Sequence, residues 1–149
     1  MATIQLPPDF KEFFQLLNAN QVEYLLVGGY AVAYHGHPRA TGDLDIWIAT
    51  NPKNAAKLLA VLEQFGFGKT GVSADLLMEA HRVIRMGMPP VRIEIQTAIS
   101  GVDFEECYAR KVVTTLDGIP VAIISSNDLK RNKRAAGRHK DLSDLENLP

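Results

Sequence analysis

Two aspartates interrupt an otherwise apolar alternation at Asp43-Leu44-Asp45-Ile46-Trp47-Ile48. The period of two predicts a strand, with Asp43, Asp45 and Trp47 on one face and Leu44, Ile46 and Ile48 on the other. Aspartate is depleted in strands, so two of them within three residues need a reason. Both carboxylates point the same way, and unpaired they repel. A divalent cation resolves that conflict, because Mg²⁺ takes hard oxygen ligands and commonly uses one or two carboxylates together with substrate phosphates.

The remaining elements follow from periodicity and punctuation. Phe10, Phe13, Phe14 and Leu17 predict an amphipathic helix over 9–20, with Asp9 and Glu12 as its capping pair. Tyr24 to Val27 reads as a short buried strand that turns at Gly28-Gly29 into a helix over 30–36. Asn51 caps a helix that has Pro52 in its first turn and stops at Gly66. Its apolar face is Ala55, Leu58, Leu59, Leu62 and Phe65. A weak helix is expected over 74–80, and strands over 82–86 and 91–96. A hairpin over 111–124 turns at Asp117-Gly118. Ser125 and Asp128 cap a helix that ends near Gly137, and a last helix over 139–147 directs Leu142, Leu145 and Leu148 inward. The order is that of a mixed α/β domain: a small mixed β-sheet packed on helices, closed by two C-terminal helices. The 149 residues are one domain's worth, with a core over about 21–124 and helices over about 125–149.

Composition excludes several classes. Hydrophobic residues make up 46% of the chain and the net charge is −1, which is neither disordered nor fibrous. The single cysteine, Cys107, forms no internal disulfide. No apolar run approaches the roughly 20 residues that span a bilayer, and the N-terminus lacks the pattern of a secretory signal. The expectation is a cytoplasmic protein with no membrane partner. Charge is nevertheless uneven: six of the sixteen Lys and Arg fall between Lys130 and Lys140.

A third acid, Glu94, interrupts Val91-Arg92-Ile93-Glu94-Ile95-Gln96 in the same way. If that strand lies beside 43–48, three carboxylates converge, enough for two metal ions of the kind that serve phosphoryl transfer. Gly28-Gly29 lets a phosphate approach the backbone. Together these pieces describe a triphosphate at a glycine turn with metals on acidic strands.

The stretch LLVGGYAVAYHGHPRATGDLDIWI, residues 25–48, resembles the signature of the DNA polymerase beta-type nucleotidyltransferase superfamily. Its Gly-Gly, His-Gly and Arg-x-Thr-x-Asp-x-Asp features are similar to the minimal bacterial and archaeal branch related to AbiEii-type toxins of toxin–antitoxin systems. The tail 128–148 is similar to the end of those proteins. The resemblance implies a nucleotidyltransferase-like fold and transfer of a nucleoside monophosphate from a triphosphate such as ATP to a hydroxyl, with release of pyrophosphate. It implies that Asp43 and Asp45 bind catalytic Mg²⁺, two ions with Mn²⁺ as a substitute, and that Glu94 takes the place of a third carboxylate. Gly28 and Gly29 then contact the triphosphate, beside Thr41 of the motif. Arg39 and Lys133 are assigned to neutralising phosphate charge. The acceptor stays open between RNA such as tRNA, a protein and a small molecule, as does a partner protein.

Blander readings compete. Asp43 and Asp45 also fit a solvated strand face, and Glu94 an ion pair with Arg92. His35 fits a hydrogen-bonding residue at a helix end, and Trp47 a core residue rather than a base-stacking one. The basic segment fits a solvated helix face, with Lys130, Lys133 and Arg134 on one side, or an RNA-binding patch. A non-catalytic binding module is the alternative for the whole chain.

Overall fold

The computed structural model describes residues 4–66 and 71–149. Helix α1 spans Pro8–Ala19 and strand β1 Tyr24–Val27. Helix α2 is Gly28–Tyr34, β2 is Asp43–Ile48 and α3 is Pro52–Gln64. A 3-10 turn at Leu76–Met78 precedes β3 (Val83–Met86) and β4 (Arg92–Gln96). Then come α4 (Phe104–Ala109), β5 (Val112–Leu116), β6 (Ile119–Ile123), α5 (Ser126–Ala136) and α6 (His139–Asn147).

The six strands form one mixed sheet in the order β3-β4-β2-β1-β6-β5. Strand β2 runs antiparallel to β1 and parallel to β4, so the two acid-bearing strands are neighbours. One face carries Tyr24, Leu26, Ile46, Ile48, Ile93 and Ile95, all buried. Phe14 of α1 meets Tyr24 there, and Phe13 meets Phe65 beyond α3. The four apolar positions expected of α1 are all fully buried. The opposite face carries the acids, and Trp47 on that face packs edge-on against Phe104 of α4. Trp47 is 2% exposed, so no ring face is left for a base.

Several local expectations change. Helix α1 starts at Pro8, with Pro7 as N-cap and no side-chain cap bond, so Asp9 lies in the first turn and caps nothing. A proline at the helix start lacks only an N–H that would be unpaired anyway, and its φ is already helical. The helix at 74–80 shrinks to the turn at 76–78. Helix α4 was not anticipated, although Asp103 accepting from the Glu106 N–H is an ordinary capping signal. Helix α6 turns inward on Asp141 and Asp144 rather than on leucines: Leu142 is 44% exposed, while Leu148 is buried. Asn51 and Ser125 cap α3 and α5 as expected, accepting from the Asn54 and Asp128 amides.

Candidate active site

Strand register brings the acids together. Asp45 lies opposite Glu94 across β2–β4, Glu94 opposite Arg85 across β4–β3, and Asp45 opposite Val27 across β2–β1. A single row therefore runs Arg85, Glu94, Asp45, Val27 from the sheet edge to the start of α2. Asp43 lies two residues along, opposite Arg92. These side chains line a cleft of about 640 Å³ together with Gly28, Gly29, Arg39, Gln96 and Lys133.

Both glycines have a steric reason. Gly28 has φ +68°, and a Cβ there would stand 2.1 Å from the Asp45 Oδ2. A Cβ on Gly29 would stand 2.5 Å from the Thr41 hydroxyl oxygen. The bare backbone of the β1–α2 turn thus presses directly on the acidic row, and Thr41 fills the space beside it while donating to the Asp43 carbonyl at 3.3 Å.

The acids are crowded. Burial first, then repulsion from Glu94 and a hydrogen bond shared with it, then repulsion from Asp43, push Asp45 up to about 7, against the pull of Lys133. Gln96 donates to Asp45 at 3.2 Å. Arg92 forks Asp43, with Nε at 3.1 Å and Nη2 at 3.0 Å, and its Nη2 also lies 3.4 Å from Glu94. Arg85 reaches Glu94 at 3.0 Å. Both the solvated-face and the ion-pair readings thus capture part of the arrangement, since Glu94 does pair with Arg92.

The donor set suits a hard divalent cation, and like-charge crowding at Asp45 is what such a cation relieves. With Asp43 and Glu94 turned to arginines, however, no group of three or more His, Cys, Asp or Glu among the described residues stands arranged to hold a metal ion. Metal binding at this row requires Arg92 and Arg85 to release their carboxylates.

Lys133, on α5, is 5% exposed and sits between Asp141 at 3.2 Å and Asp144 at 3.1 Å. Arg39 spends its guanidinium on Asp144, Nε at 2.8 Å and Nη2 at 2.9 Å. Arg138 holds Asp141 at 2.7 Å. Burial alone raises a carboxyl, but these charged donors outweigh it and hold Asp141 and Asp144 below the usual carboxylate range. Lys133 is therefore part of a buried network, not of a solvated basic face. Lys130 is tied to the Pro149 carbonyl, and Arg131 to Asp128. His35 bonds the Ile124 carbonyl oxygen at 2.7 Å, as expected of a residue ending a helix.

Sequence reasoning placed Asp43, Asp45, Glu94, Gly28, Gly29, Thr41, Arg39 and Lys133 at one cleft, and all eight are there or, for Thr41, packed directly behind it. It offered the pair of Arg92 with Glu94 but missed the fork of Arg92 on Asp43 and the roles of Arg85, Gln96 and Arg138. The alternation Arg92-Glu94-Gln96 already put those three on one face; Arg85 and Arg138 needed the strand register and the helix packing.

The profile of the aminoglycoside-2''-adenylyltransferase family matches residues 9–148. The chain belongs to that family. None of the curated protein sequences matches it significantly. Among solved structures, a nucleotidyltransferase-annotated protein (TM1012) from Thermotoga maritima superposes with a TM-score of 0.65 at 15% identity, covering 95% of this chain and 93% of that one. The lincosamide antibiotic adenylyltransferase LnuA, bound to lincomycin, gives 0.57 at 16% identity, with 96% of each chain covered. The antibiotic-resistance factor ANT(2'')-Ia gives 0.57 at 14%, covering 94% of this chain and 80% of that one. At these identities the likeness is one of fold: a nucleotidyltransferase-like α/β fold with a mixed sheet and two C-terminal helices. The family and fold together make the chain a member of the nucleotidyltransferase superfamily; they do not show the AbiEii-type branch. Among the described residues no helix is long and apolar enough to cross a membrane.

Proposed function

We propose that this adenylyltransferase-family protein transfers a nucleoside monophosphate, AMP from ATP in the first instance, to a hydroxyl acceptor. The observation that carries the reading is the packing of Gly28 onto Asp45, with Glu94 opposite Asp45 in register. A phosphate chain laid on the bare backbone of Gly28 and Gly29 lies within reach of the acidic row, and ion pairs with Arg92 and Arg85 account for Asp43 and Glu94 but leave Asp45 crowded by both with no ion pair of its own among the described residues.

In this reading Asp43, Asp45 and Glu94 hold Mg²⁺, with Mn²⁺ as substitute. When bound, the metal supplies Lewis-acid stabilisation of charge on the phosphoryl oxygens. Gly28 and Gly29 offer backbone N–H groups to the triphosphate, and Thr41 fixes the loop behind them. Lys133 and Arg39, held in place by Asp144, present positive charge to the same end of the cleft. Arg92, once released from Asp43, is free to pair with phosphate. The acceptor oxygen attacks the α-phosphorus, its O–P bond forms as the bridging bond to the β-phosphate breaks, and pyrophosphate leaves. Glu94, nearest the open edge at β3, is the candidate to take the hydroxyl proton on its Oε. Rate comes mainly from positioning and charge neutralisation. The catalytic core spans about residues 21–124 of a single domain, with the C-terminal helices closing one side.

The test is equilibrium binding of ATP with and without Mg²⁺. Tight binding that needs metal, and that Asp43→Ala and Asp45→Ala weaken together, is the expected result. Metal-independent binding would instead favour a non-catalytic nucleotide-binding module.

A further inference from the structure

Strand β5 forms one edge of the sheet and β3 the other. The two edges are unlike. β3 carries Arg85 and follows Arg82, charges of the kind that keep an exposed edge from pairing. β5 reads Val112-Val113-Thr114-Thr115-Leu116, with no charge, no proline and a continuous register against β6. Among the described residues, no backbone hydrogen bond joins 112–116 to anything but β6. Val113 is 67% exposed, and Thr115 is exposed beside it. An edge rich in β-branched residues, unguarded and uncovered, is a template for another strand.

The hairpin decides which groups that edge offers. Asp117 and Gly118 have positive φ, +49° and +84°, as a two-residue type I′ turn requires. Leu116 and Ile119 then close the turn as a hydrogen-bonded pair, and Thr114 and Val112 follow in the same phase. Thr115 stands opposite Pro120, which has no N–H to give. Val113 and Thr115 therefore turn their N–H and C=O groups away from β6. Opposite charges flank the strand, Lys111 before it and Asp117 after it. Lys111 has no ion-pair partner among the described residues; its Nζ lies 4.0 Å from the centre of the Tyr108 ring and donates to the Tyr108 carbonyl at 3.4 Å. Asp117 accepts the Leu6 N–H on Oδ2 at 3.0 Å, with Lys11 at 3.9 Å, and its Oδ1 takes no hydrogen bond among the described residues.

We propose that β5 is a self-pairing edge, which docks antiparallel on β5 of a second copy of this chain about a two-fold axis at Thr114. In that register Val113 faces Thr115 of the second copy, so the outward N–H and C=O groups of both strands are satisfied. Lys111 faces Asp117 of the second copy on the same side of the sheet, because 111, 113, 115 and 117 alternate together. The two-fold makes every one of these contacts twice. Sliding the register by two residues loses the match of Lys111 with Asp117, and parallel pairing sets like charge beside like. The pairing rests on the sheet edge alone and does not depend on the nucleotidyltransferase reading.

The experiment is sedimentation equilibrium of the full chain over a concentration series reaching about 1 mM, high enough to populate a weak dimer. The wild type is expected to dimerise reversibly. Thr115→Lys sets the two introduced ammonium groups near each other and near Lys111 of the opposing copy, and should weaken the dimer at least about tenfold. Lys111→Glu faces Asp117 and should weaken it in the same way, and adding Asp117→Asn, which suits the turn, should recover part of the loss. Register is read by cross-linking. On the axis, at a pair without hydrogen bonds, two Thr114→Cys chains hold their Cα atoms about 4.5 Å apart, within disulfide reach, so mild oxidation should link them. Thr115→Cys places them about 7–8 Å apart and should link far less. The buried Cys107 is present in both variants and cancels from the comparison. Because the cysteine variants change no charge, the test does not hang on how the charged variants fold. A wild type monomeric at every concentration, a dimer unmoved by both Thr115→Lys and Lys111→Glu, or equal cross-linking of the two cysteine variants would each overturn the proposal.

Discussion

Asp45 concentrates the conflict between stability and function at the scale of one residue. It is half-buried and flanked by Glu94 and Asp43, and that environment pushes it up to about 7. Asp45→Asn keeps the hydrogen bond from Gln96 available and removes the repulsion. The expected outcome is a melting temperature unchanged or raised, with nucleotidyl transfer lowered by at least about 100-fold. Thermal denaturation and a transfer assay on the same preparation check both halves. Gly28 gives the converse case. Gly28→Ala places a methyl group on the Asp45 carboxylate and forces an alanine to φ +68°, costing about 1–2 kcal/mol from the backbone alone. It should lose both stability and activity, read by urea denaturation and by ATP binding. The acids and glycines were legible in the sequence because strand alternation and a glycine turn are local signals. The pair of Arg92 with Glu94 was legible too, but the fork of Arg92 on Asp43 and the reach of Arg85 to Glu94 were not, because strand register sets them and one sequence does not state it.

The last two helices show how an element can be read correctly and oriented wrongly. Leu142, Leu145 and Leu148 share one helical spacing, and Asp141, Asp144 and Leu148 share another. Lys133 from α5 and Arg39 from the loop before β2 decide between them, since a buried cation needs carboxylates more than the interface needs leucines. Lys133→Met should therefore destabilise the protein by about 3–5 kcal/mol by leaving Asp141 and Asp144 buried without that cation, whereas Leu142→Gln should stay within about 0.5 kcal/mol. Chemical denaturation of the two variants tests the contrast. The same network fixes a pH dependence. Asp141, Asp144 and Asp128 each sit below the usual carboxylate range in the folded state, because hydrogen bonds from charged or hydroxyl donors outweigh the effect of burial. A carboxyl depressed on folding contributes stability above its unfolded pKa and loses it as pH falls through its folded one. Asp45, raised on folding, acts in the opposite sense and favours the folded state as pH falls from about 7 towards about 4. The network is therefore read in Asp45→Asn, whose denaturant midpoints should hold from neutrality down to about pH 5 and fall below about pH 4. A midpoint of that variant that rises on acidification below about pH 5 would contradict the network.

At the scale of the whole molecule, the sheet order β3-β4-β2-β1-β6-β5 is what makes a site from scattered residues. It sets the acids of β2 and β4 between a glycine turn on one flank and an exposed cationic edge on the other. The element order was readable from periodicity and capping, apart from α4, and the mixed sheet followed from it. The parallel pairing of β2 with β4 was a conditional in the sequence, and the candidate site depends on it: only in that pairing do Asp45 and Glu94 meet. The most direct measurement of the central claim is label transfer from α-labelled ATP, with Mg²⁺, into fractionated RNA, protein and small molecules of a cell extract, for the wild type beside Asp45→Ala. The account predicts label in an acceptor fraction and equimolar pyrophosphate, with the wild type and Mg²⁺ only. Transfer by Asp45→Ala at the wild-type rate, or no metal-dependent transfer by the wild type into any fraction, would contradict it.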